Sequence, residues 1–356
     1  STYPTEGLEE LLTTLTSRFL YTTGRDPEYK ASILCLDTTF GGGKTHDLIA
    51  SYHLAEHPTG ISDLHRHLAD PDLADAYEHA VADGLSPRTA VFVGGYVDAQ
   101  NAKCSNDPDA PETNTMWGEI AYQLYGHEGY EQIREKYDET GSSPGENTLQ
   151  DLFALSDDPV LILIDELAQY LEDASSVSVT DTTLSSQTLS FVKSLLETAS
   201  SAPQVNVVYS IADTAFTDEA ETIRREVKEL DSIEQRQRRT ITPTGSSEVS
   251  SVLQHRLFDE IDEQASKNVA DAYYEYYRDV DRGLPQNVQE PAYRERLESD
   301  YPLHPSIIDT LTQKIDSIQD FQKTRDALRL LARGIYYLWE SGSKNQDRHF
   351  IRLYDL

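Results

Sequence analysis

The chain has 356 residues, enough to bury a sizeable core in one large domain or in a core domain with a smaller companion. Its 62 acidic against 30 basic residues, the latter mostly arginine, give a formal charge of −32 spread along the chain; this argues against an acidic tail and fits a halophilic protein kept soluble in molar salt, although an acidic mesophilic protein fits too. Two cysteines without CxxC spacing, no signal-peptide pattern and no apolar run near 18 residues argue against a disulfide framework, a zinc site, export and membrane spanning, and suit a reducing cytoplasm.

In chain order, "GLEELLTTLTSRFL" reads as a helix and "TTGRDPEYK" as the loop after it. Five short β-type runs follow: "SILCLDT" (32–38), "TAVFVGG" (89–95), "VLILID" (160–165), "VNVVYSI" (205–211) and "RTITP" (239–243). The middle runs are continuously apolar, as expected of parallel strands covered on both faces. Helical patterns separate them at Lys44–Glu56, Ala74–Asp83, Thr115–Tyr125, Leu184–Thr198 and Asp218–Glu234. Alternating strands and helices predict a doubly wound α/β core with a five-stranded, mostly parallel sheet over 1–245. From about Ser246 the strand signal disappears, and "SSEVSSVLQHRLFDEI", "NVADAYYEYYRDV", "HPSIIDTLTQKI" and "FQKTRDALRLLARGIYYLWES" predict an all-helical domain over 246–356. The Ser/Thr-rich stretch 173–187 and the segment 281–291 read as mobile loops. There is no internal repeat.

The chemistry concentrates in "DTTFGGGKTH" (37–46). In a phosphate-binding loop, backbone N–H groups of a glycine-rich turn cradle phosphates at a helix start, a lysine reaches the outer phosphates, and a Ser/Thr hydroxyl ligates Mg²⁺. Gly43, Lys44 and Thr45 fit the closing GK[ST] of the motif, whereas its opening glycine falls on Thr38. Gly41, Gly42 and Gly43 still supply the backbone freedom needed beside phosphates. Phe40 to His46, that is Phe40, Gly41, Gly42, Gly43, Lys44, Thr45 and His46, are therefore the expected ATP-binding residues. In "VLILIDELAQYL", five apolar residues run into Asp165 and Glu166, about 120 residues beyond Thr45. Such a strand end is expected to hold Mg²⁺ by Asp165 through a water, with the Thr45 hydroxyl as a ligand, and to polarise the attacking water through Glu166. The position of this strand leaves room for the additional strand of the catalytic-glutamate class of P-loop proteins.

Further candidates follow. At the end of "VVYSIAD", Ser210 or Asp213 suits contact with the γ-phosphate or the water. In "EQRQRRTITP", Arg236, Arg238 and Arg239 suit an arginine finger reaching a neighbouring subunit; a solvated basic turn is the alternative. Arg325, Arg329 and Arg333 fall four apart on one helical face. Arg329 is the best placed to turn over the nucleotide, and a salt-bridged helix surface is the alternative. The isolated "HRH" (65–67) reads as loop and "YYEYY" (273–277) as helix packing.

Together "TTFGGGKTHDLIASYHL", "TMWGEIAYQL", "VLILIDELAQYL", "HRLF", "YPLHP" and "FQKTRDALRLLAR" resemble a prokaryotic family of large AAA+ ATPases, similar to the ATP-binding PglY/BrxC-type subunits of BREX phage-exclusion systems. The resemblance runs from about residue 8 to 340 with the blocks in order, and Thr38 is ordinary within it. It implies an ASCE/AAA+-type P-loop core with a helical lid, at the N-terminal end of a longer protein. It also implies ATP and Mg²⁺ as cofactors and partners within a DNA-modification or defence complex, or self-association. On this reading Lys44 and Thr45 serve phosphate and metal, Asp165 and Glu166 hydrolysis, and Arg329 the lid, with ATP between core and lid. The expected activity is an ATPase driving conformational change; a slowly hydrolysing nucleotide switch and a DNA-stimulated translocase or loader are the alternatives. DNA is left open as a partner, because at a Debye length of about 3 Å in 1 M salt the acidic surface repels it only locally.

Overall fold

A computed structural model describes residues 3–25, 30–37, 43–57, 64–68, 70–104, 107–210, 238–245, 248–279, 283–314, 323–340 and 349–355. The chain divides into two compact units, one made of Glu6–Asp37 with Gly43–Pro243 and the other built around Thr244–Leu356.

In the first unit the chain runs α1 (Glu6–Thr22), β1 (Ile33–Leu36), α2 (Lys44–Glu56), α3 (Pro71–Ala82), β2 (Arg88–Val93), α4 (Met116–Ile133), α5 (Glu146–Phe153), β3 (Val160–Asp165), α6 (Leu167–Ala174), a hairpin of β4 (Ser178–Val179) and β5 (Thr182–Thr183), α7 (Leu184–Ser201), β6 (Val205–Ser210) and β7 (Arg238–Ile241). Five strands form one sheet in the order β2-β3-β6-β1-β7, and every pair in it is parallel. The interior strands β1, β3 and β6 are buried along their whole length, which is why they read as unbroken apolar runs.

Alternation decides the two faces of the sheet. Leu34, Leu36, Leu161, Leu163, Val208 and Ile241 pack with α1, α2 and α3, whereas Ile33, Cys35, Ile162, Ile164, Val207 and Tyr209 pack with α4 to α7. Arg18 on α1 is fully buried, and its guanidinium donates to Asn206 Oδ1 (2.8 Å) and to the Pro203 carbonyl (2.5 Å), tying α1 to the start of β6. The expected loop at 173–187 instead contains the β4–β5 hairpin and the start of α7. Thr183 caps that helix, its side chain accepting from the Ser186 N–H. α5 and α6 are additional to the predicted helices; the predicted helix at Asp218–Glu234 lies outside the described residues.

The second unit contains α8 (Val249–Leu257), α9 (Glu263–Tyr277), α10 (Pro291–Ser299), α11 (Pro305–Asp309) and α12 (Lys323–Glu340). Among its described residues the β-type pairing is a single bridge, Leu303 with Ile351. Val249, Leu253, Ile307, Ile308 and Leu331 make one apolar cluster; Tyr273 and Tyr277 pack on a second one with Phe350, as the helix-packing reading of the tyrosine run expects.

Candidate functional site

The site grows from the carboxyl ends of four neighbouring strands. In a parallel sheet these ends lie along one edge, and register fixes which residues meet. Val93 of β2 pairs with Asp165 of β3, Ile164 with Tyr209 of β6, and Ser210 with Leu36 of β1. Gly94, Glu166 and Asp37, the first residues after β2, β3 and β1, are therefore set with Ser210 along one edge of the sheet.

Beyond β1 the chain turns into α2 at Gly43, whose φ of 104° and ψ of −26° are left-handed and suit glycine. No side chain caps α2, and its first ladder bond runs from the Asp47 N–H to the Gly43 carbonyl (2.8 Å). Lys44, Thr45 and His46 make up the first helical turn. The Thr45 hydroxyl donates to Asp165 Oδ2 at 2.8 Å. The Ser210 hydroxyl donates to Asp165 Oδ1, which also accepts from the Glu166 N–H at 3.0 Å; that N–H is shared with Ser210 Oγ at 3.3 Å. Asp165 and Ser210 are buried, and Glu166 is exposed. Glu166 has φ 52° and ψ 37°, a left-handed conformation uncommon outside glycine.

The structure thus brings together Gly43, Thr45, Asp165, Glu166 and Ser210, with Lys44 and His46 beside them in the same helical turn. Arg239 is elsewhere: it pairs with Leu34 on the other side of β1, two residues before the strand ends, and its guanidinium meets Glu10 of α1. Arg329 and Arg333 lie on the exposed face of α12 in the second unit. Phe40, Gly41, Gly42, Asp213 and Arg236, with the side chains of Arg238 and Arg325, lie outside the described residues. His65 faces carboxylate oxygens of Asp75 and Glu78 at 3.4 and 3.8 Å on the surface.

Two features escaped the sequence reading. Gly94 and Gly95, which extend the β2 run on paper, leave the strand as a tight turn against Glu166. From Thr45 and Asp165 a cleft of about 970 Å³ runs between α2 and β2, past Leu48, Tyr52, Val91 and Val93. Its wall includes Ile49 and Tyr96, the exposed large hydrophobic residues among the described positions of the first unit. Cys104 also lines it; burial pushes its thiol up to about 11, which keeps it protonated and unreactive at neutral pH.

Hard oxygen donors, a threonine hydroxyl and a carboxylate 2.8 Å apart, are the type of set that Mg²⁺ prefers. Among the described residues no helix is long and apolar enough to cross a membrane. The model of the DUF499 N-terminal domain matches residues 1–242, and that of the DUF499 second domain matches residues 245–352. The break between these matches falls at the break between the two compact units. No curated protein matches the chain.

Proposed function

We propose that this chain, which belongs to the DUF499 family, is a P-loop ATPase that binds Mg²⁺ and ATP at the α2 end of its sheet. The observation that carries this reading is the contact of Thr45 with Asp165, residues 120 positions apart that come from the two sequence blocks expected to share one metal. The strand order supports it. Starting from β1, the chain travels to β2 at the far edge and works back to β6, then passes over β1 to β7. The connections that leave β1 and β6 therefore run to opposite sides of the sheet, and in open α/β sheets ligands bind in the crevice at such a point. Ser210 and Gly43 flank that crevice.

Each residue has a task there. The positive end of α2 favours an anion and its first-turn N–H groups point towards one. Lys44 pairs with the outer phosphates. Thr45 and Asp165 hold the metal, and Ser210 fixes the other oxygen of Asp165 so that this carboxylate keeps one orientation. Glu166 takes the proton of the attacking water. The metal, when bound, neutralises charge that develops on the transferred phosphoryl group. The finer assignment, an AAA+-type module acting in a DNA-modification or phage-defence complex, rests on the sequence blocks, and a halophilic source rests on the acidic composition. Arg239 in the role of a finger would have to leave Glu10.

Titration with Mg·ATP in molar KCl tests binding. A charge-assisted hydrogen bond contributes about 1.5–3 kcal/mol, so Lys44→Ala is expected to raise Kd by roughly 10- to 150-fold. Wild-type protein that ignores ATP, or a Lys44→Ala variant that binds equally well, would overturn the proposal. Thr45→Ala is expected to weaken binding of Mg·ATP more than binding of ATP in EDTA, because the hydroxyl serves the metal.

A further inference from the structure

The pairing of Val93 with Asp165 sets the residues that follow the two strands, Gly94 and Glu166, side by side. A Cβ on Gly94 would lie 2.3 Å from the Glu166 carbonyl oxygen and 2.8 Å from Tyr170 Cβ. A Cβ on Gly95 would lie 2.2 Å from Glu166 Oε2. Neither glycine is among those with positive φ, so the backbone conformation does not demand glycine at either place; the missing side chain does. Glu166 is the residue with the unusual backbone, at φ 52°. Its N–H is held by Asp165 Oδ1 and Ser210 Oγ, and its carbonyl accepts from the N–H groups of Gln169 (3.1 Å) and Tyr170 (3.3 Å), starting α6. A left-handed conformation outside glycine persists only when its surroundings enforce it, and such residues cluster at functional sites.

We propose that Gly94 and Gly95 form a seat without side chains that positions Glu166. Gly94 admits the carbonyl that begins α6, and Gly95 admits the carboxylate itself. Gly95 is then a positioning residue for water activation, acting through Glu166 without touching the nucleotide. This inference rests on the ATPase reading above. A Cβ at Gly95 must push the carboxylate aside, and a displacement near 1 Å in a catalytic group costs on the order of 10²-fold in rate.

The experiment is a cycle of Gly95→Ala against Glu166→Asp, which shortens the acid by one methylene and vacates the contested space. With Glu166 present, Gly95→Ala is expected to lower kcat by at least about 10-fold while Kd for Mg·ATP stays within about two-fold. On the Glu166→Asp background the same change should cost less than about two-fold, a non-additivity that general loosening of the site would not produce. Equal costs on both backgrounds, or an unchanged kcat in Gly95→Ala, would overturn the seat. A second readout does not need turnover. Glu166→Gly should relieve the left-handed backbone and raise Tm by about 2–4 °C, whereas Gly94→Ala should lower it through the collision with the carbonyl. A Tm that falls in Glu166→Gly and stays unchanged in Gly94→Ala would also overturn it. Wild-type protein that binds ATP but never hydrolyses it would refute the catalytic part of the reading, and with it the role given to Gly95, while the Tm pair reports whether the seat exists.

Discussion

Glu166→Gln is expected to bind Mg·ATP as the wild type does and to hydrolyse it about 10²–10⁴-fold more slowly. The reasons are local. Glutamine keeps the size and hydrogen-bonding reach of the side chain but has no basic oxygen that can take a proton from water. What anchors residue 166 in place is backbone: its N–H to Asp165 and Ser210, and its carbonyl to the start of α6. None of these contacts depends on the side-chain charge, so the fold and the Thr45–Asp165 contact should be undisturbed. Steady-state hydrolysis in molar KCl, paired with nucleotide titration of the same preparations, separates the outcomes. Loss of turnover with retained binding supports a general base. Unchanged turnover would remove Glu166 from the chemistry, and a parallel loss of binding would show that its role is structural.

Asp138→Ala is expected to destabilise the first unit by about 3–5 kcal/mol. Asp138 is 1% exposed and sits in the turn that follows α4. Its carboxylate accepts from the Asn114 N–H (3.1 Å) and the Thr115 N–H (2.9 Å), and from the hydroxyls of Thr115 (2.6 Å) and Tyr130 (2.9 Å). It thereby fastens the chain entering α4 to the chain leaving it. Gly118 belongs to the same arrangement, since a Cβ there would lie 2.1 Å from Asp138 Oδ1. Removing the carboxylate leaves the Thr115 N–H and hydroxyl buried without that acceptor and takes one from the part-buried Asn114 N–H, whereas the Tyr130 hydroxyl keeps the Glu112 carbonyl (3.2 Å); each buried group so orphaned costs about 1–3 kcal/mol. At about 2–4 °C per kcal/mol for a unit of this size, Tm should fall by roughly 6–20 °C. Asp138→Asn retains one acceptor oxygen and should fall between the wild type and the alanine variant. A shift in Tm below about 2 °C for Asp138→Ala would mean that the network contributes little.

Much of the site was legible in the residues because its parts are short and local. An apolar run ending in Asp165 and Glu166, and another leading to Gly43, Lys44 and Thr45, each describe a strand end or a helix start with polar groups at the tip. The boundaries of α2 follow from the same stretch. Other elements were hidden for identifiable reasons. α6 carries apolar residues at 167, 170, 171 and 174, a helical spacing, but it begins one residue after the strand, leaving no loop to announce it. α5 is only 8 residues long. Arg18 reads as a solvated position on an amphipathic helix, yet it is buried because Asn206 and the Pro203 carbonyl, nearly 190 residues away, supply its acceptors. Arg239 reads as one of three clustered cations, and the structure places it against Glu10 on the far side of β1.

By itself, then, the amino-acid sequence determined which segments form the strands of the large sheet, where the helix after β1 starts, and which polar side chains stand at the strand and helix ends, although not that β2, one of the apolar runs, is an edge strand. Those properties depend on neighbours within a few residues and on a repeat of two or 3.6 along the chain. Tertiary structure alone decided that β6 lies between β1 and β3, so that Ser210 reaches Asp165 and the crevice opens beside Gly43. Alternation records which face of a strand is buried but carries no information about which strand lies alongside. The same holds for Gly94 and Gly95: on paper two small residues end a strand, and only the register with β3 shows that the space they leave is filled by Glu166.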